Sequence, residues 1–116
     1  MTQLVVDRKA LLEYLADDTQ LLQEVIGLFL ADSPGMLAAI QSAVSAHIPI
    51  DIMKAAHALK GSVGVFGAKN AVAAAQSLES MGRDGNIEGS AATLSILERE
   101  ILLVTSALDE IAKTSV

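Results

Sequence analysis

The sequence predicts an all-α protein: an antiparallel up-and-down four-helix bundle with a short additional N-terminal helix. Apolar residues recur at the three- and four-residue spacing of helices, and no segment alternates with the period of two that a strand needs. Hydrophobic residues make up 52% of the chain but aromatics only 3%, and the abundant alanine suits closely packed helices. With 116 residues, the chain is long enough to bury a core, and we expect one domain over residues 1–116.

Two helices are predicted in the first half of the chain. The first covers about residues 7–16, where Asp7 can cap the free backbone N–H groups. The second covers about 19–46 and follows the capping run Asp17-Asp18-Thr19. Pro34 interrupts its apolar pattern, so the sequence leaves open whether this segment is one kinked helix or two helices in succession.

Three further helices are predicted after residue 50. Pro49 disfavours helix at the residue before it, and Asp51 is a good cap, so the third helix is expected over about 51–66. The fourth is expected over about 69–82, before a segment rich in turn-forming residues. The last, over about 88–112, would be about 40 Å long at the usual helical rise and could back the whole bundle.

Composition excludes several classes of function. The net charge of −6 argues against nucleic acid as the main partner, because phosphate binding needs clustered cations. The absence of cysteine removes disulfides, thiol nucleophiles and thiolate metal sites. No apolar run approaches the ~18 residues of a membrane span, and the first residues lack a signal-peptide pattern. We therefore expect a cytoplasmic protein without membrane contact, monomeric because little apolar surface is predicted to be exposed.

The third predicted helix carries the residues of greatest chemical interest. Its apolar stripe is formed by Ile52, Ala56, Leu59, Val63 and Phe66. His57 points to the opposite side, which also carries Met53, Lys60, Gly61 and Gly64. A glycine inside a helix costs about 1 kcal/mol relative to alanine, so these two glycines indicate that a bulky group approaches the imidazole. The alternative is that they admit a neighbouring helix of the same bundle.

The run AHALKGSVGVFGA, residues 56–68, resembles the signature of histidine phosphotransfer (HPt) domains, roughly A-H-x-L-K-G-x-x-x-x-x-G. The resemblance implies that His57 accepts and donates the phosphoryl group, that Lys60 neutralises its oxygens, and that Gly61 leaves room for the partner. The family also tends to carry an acidic or amide residue twenty-two positions after the histidine. That position is Glu79 here, within a Leu-Glu pair that matches the family pattern.

A phosphoryl carrier needs an imidazole held in one tautomer. Glu79 can accept a hydrogen bond from Nδ1 of His57, which leaves Nε2 as the nucleophile, assisted by the charge of Lys60. The chain has no phosphate-cradling loop, so we expect a phosphoryl carrier without autonomous kinase activity rather than an enzyme. Met53, Gly61, Gly64 and Gln76 are the predicted docking residues.

By resemblance, the partners are receiver domains of response regulators, a hybrid sensor histidine kinase, or both. The receiver brings its own Mg²⁺, and no cofactor is expected on this chain. A competing interpretation is a non-catalytic helical adaptor or dimerisation bundle that uses the His57 face only for docking. A metal-binding bundle is disfavoured because neither histidine has a Glu three residues before it, and His47 is expected to be an exposed loop residue.

Overall fold

The computed structural model describes residues 5–114, which form five helices and no strand, so the predicted all-α class is confirmed. The helices are α1 (Arg8–Tyr14), α2 (Thr19–Ala46), α3 (Pro49–Gly64), α4 (Lys69–Asp84) and α5 (Ser90–Thr114). The four long helices pack in a closed ring, in which α2 and α4 each contact both α3 and α5. The short α1 packs against α2.

The core lies inside this ring and is lined by the apolar stripe predicted for α3 and by an apolar stripe of α5. All five predicted stripe residues of the third helical segment are buried. The α5 stripe is also buried and consists of Leu94, Leu97, Ile101, Val104, Leu108 and Ile111. The rings of Phe29 and Phe66 meet edge to face, with centroids 5.1 Å apart, and join α2 to the segment after α3.

The caps of the first two helices are the predicted ones, although α1 is shorter than the sequence indicates. Asp7 accepts a hydrogen bond from Ala10 N at 3.2 Å, and Asp18 accepts one from Leu21 N at 3.0 Å. Helix α1 ends at Tyr14 rather than at residue 16. The physical reason is that Ala16 and Asp17 adopt left-handed backbone conformations, with φ of 55° and 61°.

Helix α2 runs without a break through Pro34, which settles the question that the sequence left open. It ends at His47, which adopts the left-handed conformation of a C-cap with φ of 58°. By length and composition alone, α2 could cross a membrane, contrary to our expectation that no segment meets this test. The finding is weak evidence, because core helices of soluble proteins pass the same test.

The ends of the last three helices differ from the predicted ones by about two residues. Helix α3 starts at Pro49, with Ile48 rather than Asp51 as the N-cap, because the fixed φ of proline suits the first helical position. Helix α4 continues to Asp84 and ends at Gly85, whose φ is 78°. Helix α5 starts at Ser90 rather than at residue 88, because Gly89 before it has a φ of 87°.

Helices α3 and α4 form a hairpin whose backbones touch at one end. A Cβ atom added at Gly82 would lie 2.5 Å from both the backbone N of Met53 and the carbonyl O of Pro49. Only glycine permits so close an approach of two helices. At the other end, the turn into α4 passes through Gly67, whose φ of 66° is a left-handed conformation that glycine adopts readily. The hairpin is therefore fixed at both ends.

Candidate functional site

The candidate site lies on the outer surface of the α3–α4 hairpin. The side chain of His57 on α3 is 69% exposed, as the helical wheel predicts. Its Nδ1 atom lies 3.3 Å from Oε1 of Glu79 on α4, although the two residues are 22 positions apart in the chain. The pairing of the two helices thus brings together the histidine and the carboxylate that the sequence predicts to act together.

Glu79 is the centre of the site's electrostatics. Its side chain is only 5% exposed, and burying a carboxylate is costly unless it is paired. Lys60 Nζ lies 2.7 Å from Oε1, and a guanidinium nitrogen of Arg83 lies 2.6 Å from Oε2. Both oxygens are therefore engaged, and no buried side-chain nitrogen or oxygen within residues 5–114 lacks a hydrogen-bond partner.

The protonation of Glu79 determines the tautomer of His57. The pKa of Glu79 is lowered to about 2, mainly by the hydrogen bond from Lys60 and also by the one from His57, although burial acts in the opposite direction. An ionised carboxylate can only accept hydrogen bonds, so neutral His57 must donate its proton through Nδ1. This leaves the lone pair on Nε2, the nitrogen that can act as a nucleophile.

The site carries a local positive charge on an acidic protein. The two cations Lys60 and Arg83 surround the single anion Glu79, which leaves a net charge of +1 beside neutral His57, whereas the whole chain has a net charge of −6. Such a spot favours an anionic group such as a phosphoryl group. Sequence reasoning missed Arg83, which it assigned to a turn. The available signal was its position four residues after Glu79, which places both on one helix face.

The predicted docking residues on α3 differ in how exposed they are. Gly61 is exposed, and nothing lies within 4 Å of where its Cβ would be, so it does not serve to admit a neighbouring helix. Gly64 is exposed too, with only Val72 in ordinary contact distance at 3.9 Å. Met53 is half-buried where α3 meets α4, so it offers a partner less surface than the helical wheel predicts.

Gln76 lies beside Lys60, within the charge network. Its Oε1 accepts a hydrogen bond from Lys60 Nζ at 2.8 Å, and its Nε2 donates one to Ser80 Oγ at 3.1 Å. The sequence predicted a docking role for this residue. It did not reveal the contact with Lys60, although the two residues are neighbours across the hairpin.

An apolar surface that the sequence did not reveal lies farther along α3. Val65 is 43% exposed, and Leu28 on α2 is 65% exposed. Both line a shallow groove of about 190 Å³ between α2 and the end of α3, together with Val25, Phe29, Asp32, Ser62 and Phe66. The periodicity of α2 gave no signal, because Leu28 lies just outside its buried stripe.

The second histidine has a structural explanation. His47 is exposed at the left-handed C-cap of α2, where its backbone N–H donates to Val44 O at 3.1 Å. Within residues 5–114, no group of three or more His, Cys, Asp or Glu side chains could hold a metal ion. The expectation of a site without metal stays a prediction.

An all-helical protein that exposes a histidine with a free Nε2 beside two cations has the features of a phosphoryl carrier. The family model described as Hpt domain matches residues 24–114, and the chain therefore belongs to the Hpt domain family. Hpt domains are phosphocarrier modules that act with receiver domains in histidine phosphotransfer relays. Searches of curated proteins and of solved structures gave no match.

Proposed function

We propose that this chain accepts a phosphoryl group on His57 from a receiver-domain aspartate or a kinase and passes it to another receiver domain. The observation that carries this proposal is the contact of 3.3 Å between His57 Nδ1 and the buried carboxylate of Glu79. It leaves Nε2 free on a ring that is 69% exposed, and a partner can reach that nitrogen without any opening of the bundle.

The proposed phosphoryl transfer balances in bonds, protons and charge. The Nε2 lone pair attacks the phosphorus of an aspartyl phosphate, the N–P bond forms, and the P–O bond to the aspartate breaks as the carboxylate leaves. The Nδ1 proton stays on the ring, where Glu79 accepts its hydrogen bond and balances the new imidazolium charge. Lys60 and Arg83 supply positive charge to the phosphoryl oxygens. Transfer to the next receiver reverses these events.

The docking surface is proposed to surround His57 on α3. Gly61 and Gly64 keep this surface low, since neither position carries a side chain and both are exposed. The exposed Val65 lies two helical turns beyond His57 and continues the surface toward Leu28 and the groove between α2 and α3. Met53 contributes only its outer edge. A partner therefore meets a flat surface around the imidazole, with an apolar margin on one side.

The same proposal includes how the four long helices are arranged. An antiparallel up-and-down bundle is supported by contacts whose residue numbers rise in one helix and fall in its neighbour. Gln41 binds Glu98 and Gln23 binds the carbonyl of Ala112 between α2 and α5, and His57 with Glu79 and Lys60 with Gln76 show the same pattern between α3 and α4. We also propose a single-domain, monomeric, cytoplasmic phosphocarrier that needs no cofactor of its own, with Mg²⁺ supplied by the receiver.

The test is incubation of the chain with a receiver domain already phosphorylated on its aspartate, comparing the native protein with His57→Gln. We expect labelling of the native chain only, with the acid lability of a phosphoramidate. Labelling of His57→Gln would refute the assignment of the acceptor. If several receivers bind but label nothing while circular dichroism shows an intact fold, the chain is a helical adaptor that uses this face for docking.

A further inference from the structure

We propose that Gln76 is a positioning residue that holds Lys60 in place for phosphoryl transfer, rather than a residue that docks the partner. This inference rests on the proposed function and adds a role within the same site. Gln76 Oε1 lies 2.8 Å from Lys60 Nζ, across the α3–α4 hairpin. The other end of the same amide group lies 3.1 Å from Ser80 Oγ, one helical turn further along α4.

Lys60 needs a second hydrogen-bond acceptor, because the Glu79 carboxylate also binds His57 and Arg83. The Oε1 atom of Glu79 that holds Lys60 at 2.7 Å also accepts from His57, while Arg83 occupies Oε2. A lysine side chain loses conformational entropy when it is fixed in one geometry, and this cost must be offset by its contacts. Two acceptors at 2.7 and 2.8 Å hold the ammonium far better than one shared oxygen would.

Lys60 determines which end of the Gln76 amide faces it, and Ser80 binds the other end. An amide group has one acceptor oxygen and one NH₂ donor, and an ammonium can only donate. Gln76 Oε1 therefore faces Lys60, and Gln76 Nε2 donates to Ser80 Oγ, which can accept the bond. The order of contacts is therefore Ser80 to Gln76, Gln76 to Lys60, and Lys60 to the carboxylate that also holds His57.

The ammonium group of Lys60 has enough protons to keep both contacts and also to bind the phosphoryl group. An ammonium has three protons. One is directed to Glu79 and one to Gln76, which leaves the third for an oxygen of the phosphoryl group on His57. Lys60 can therefore stabilise the transferring group without breaking either contact, and it begins each reaction already oriented. Such pre-organisation lowers the barrier of the chemical step rather than the partner's dissociation constant.

The experiment measures phosphoryl transfer to the chain from an isolated receiver domain that has been phosphorylated with acetyl phosphate. Gln76→Ala is expected to lower the rate constant at saturating receiver about 5-fold, as the loss of one partly exposed hydrogen bond to a charged group implies. The receiver concentration at half-maximal rate should not change. Gln76→Glu keeps an acceptor oxygen for Lys60 but cancels the net positive charge of the site, so it should restore only part of the rate.

The matched control is Gln41→Ala. Gln41 is also an exposed glutamine that bridges two helices, donating to Glu98 at 2.7 Å, but it lies between α2 and α5. Its loss should leave transfer unchanged. In a Lys60→Ala background, Gln76→Ala should have no further effect, because a residue that acts only through Lys60 has nothing left to position.

Two results would overturn this inference while leaving the proposed function intact. One is a raised half-saturating concentration with an unchanged saturating rate, which identifies Gln76 as a docking residue. The other is a full, additive effect of Gln76→Ala in the Lys60→Ala background. Failure of the native chain to accept label from any phosphorylated receiver overturns both proposals and is recognised by the behaviour of the unmutated protein.

Discussion

The contact between α3 and α4 at Gly82 yields the sharpest stability prediction. In Gly82→Ala, the new Cβ would lie 2.5 Å from two backbone atoms, N of Met53 and O of Pro49. Backbone atoms cannot rotate away, so the two helices must separate by several tenths of an ångström. Overpacking of this kind costs about 1–3 kcal/mol, and the contact with backbone favours the upper end. The gain of about 1 kcal/mol in helix propensity leaves a net loss of about 2 kcal/mol.

Gly61→Ala is the matched control in the same hairpin. Nothing lies within 4 Å of where its Cβ would be, so only the helix propensity acts, and the protein should become more stable by about 1 kcal/mol. Urea unfolding followed by circular dichroism measures both changes. For a chain of this size, Gly82→Ala should lower Tm by about 8 °C. Equal stability of the two alanine variants would refute the claim that the backbones touch at Gly82.

Three further outcomes follow from the structure. Gly61→Leu should raise the unfolding free energy by nearly as much as Gly61→Ala, because the position is open and leucine is a good helix former, yet abolish transfer from a phosphorylated receiver; transfer at the native rate would show that no partner approaches there. His47→Gly should raise the unfolding free energy by about 1 kcal/mol, since glycine adopts the left-handed C-cap conformation without strain, and should leave transfer unchanged; lost transfer would give His47 a chemical role. Glu79 has a pKa of about 2 in the folded protein against its ordinary value of 4.5, so its charge stabilises the fold above pH 4.5, and this contribution is lost as the pH falls through 2. The difference in unfolding free energy between the native protein and Glu79→Gln should therefore narrow over that range in urea titrations at several pH values, and a constant difference would contradict the ion pairs.

The sequence was sufficient for the features that depend on local pattern. The spacing of apolar residues in α3 identified both the buried stripe and the opposite, exposed face of His57, because helical periodicity fixes which residues share a side. The caps Asp7 and Asp18 were readable for the same reason, since their contacts are within three residues. Glu79 was identified from the family spacing. Its burial beneath two cations could not be predicted, because it depends on how α3 packs against α4.

The features that were missed depend on how two helices meet. Gly82 was expected to end the fourth helix, yet the helix continues through it, and its missing side chain makes room for the backbone of α3. Arg83 was missed as a consequence, since its contact with Glu79 exists only if α4 extends beyond Gly82. The contact of Gln76 with Lys60 likewise requires the register of the hairpin, which no local pattern specifies.

The hairpin also determines where this chain can change in length. His57 and Glu79 lie 22 positions apart, and of the residues between them only the few between Gly64 and Lys69 are not helical. One residue inserted within α4 before Glu79 would turn Glu79 by about 100° relative to the buried residues Ala71 and Ala74, so the core contacts of α4 and the contact with the imidazole could not both be kept. The same insertion in the turn would be absorbed there, because the contact at Gly82 keeps the two helices in register. Length variation compatible with an intact site is therefore confined to this one turn of the hairpin.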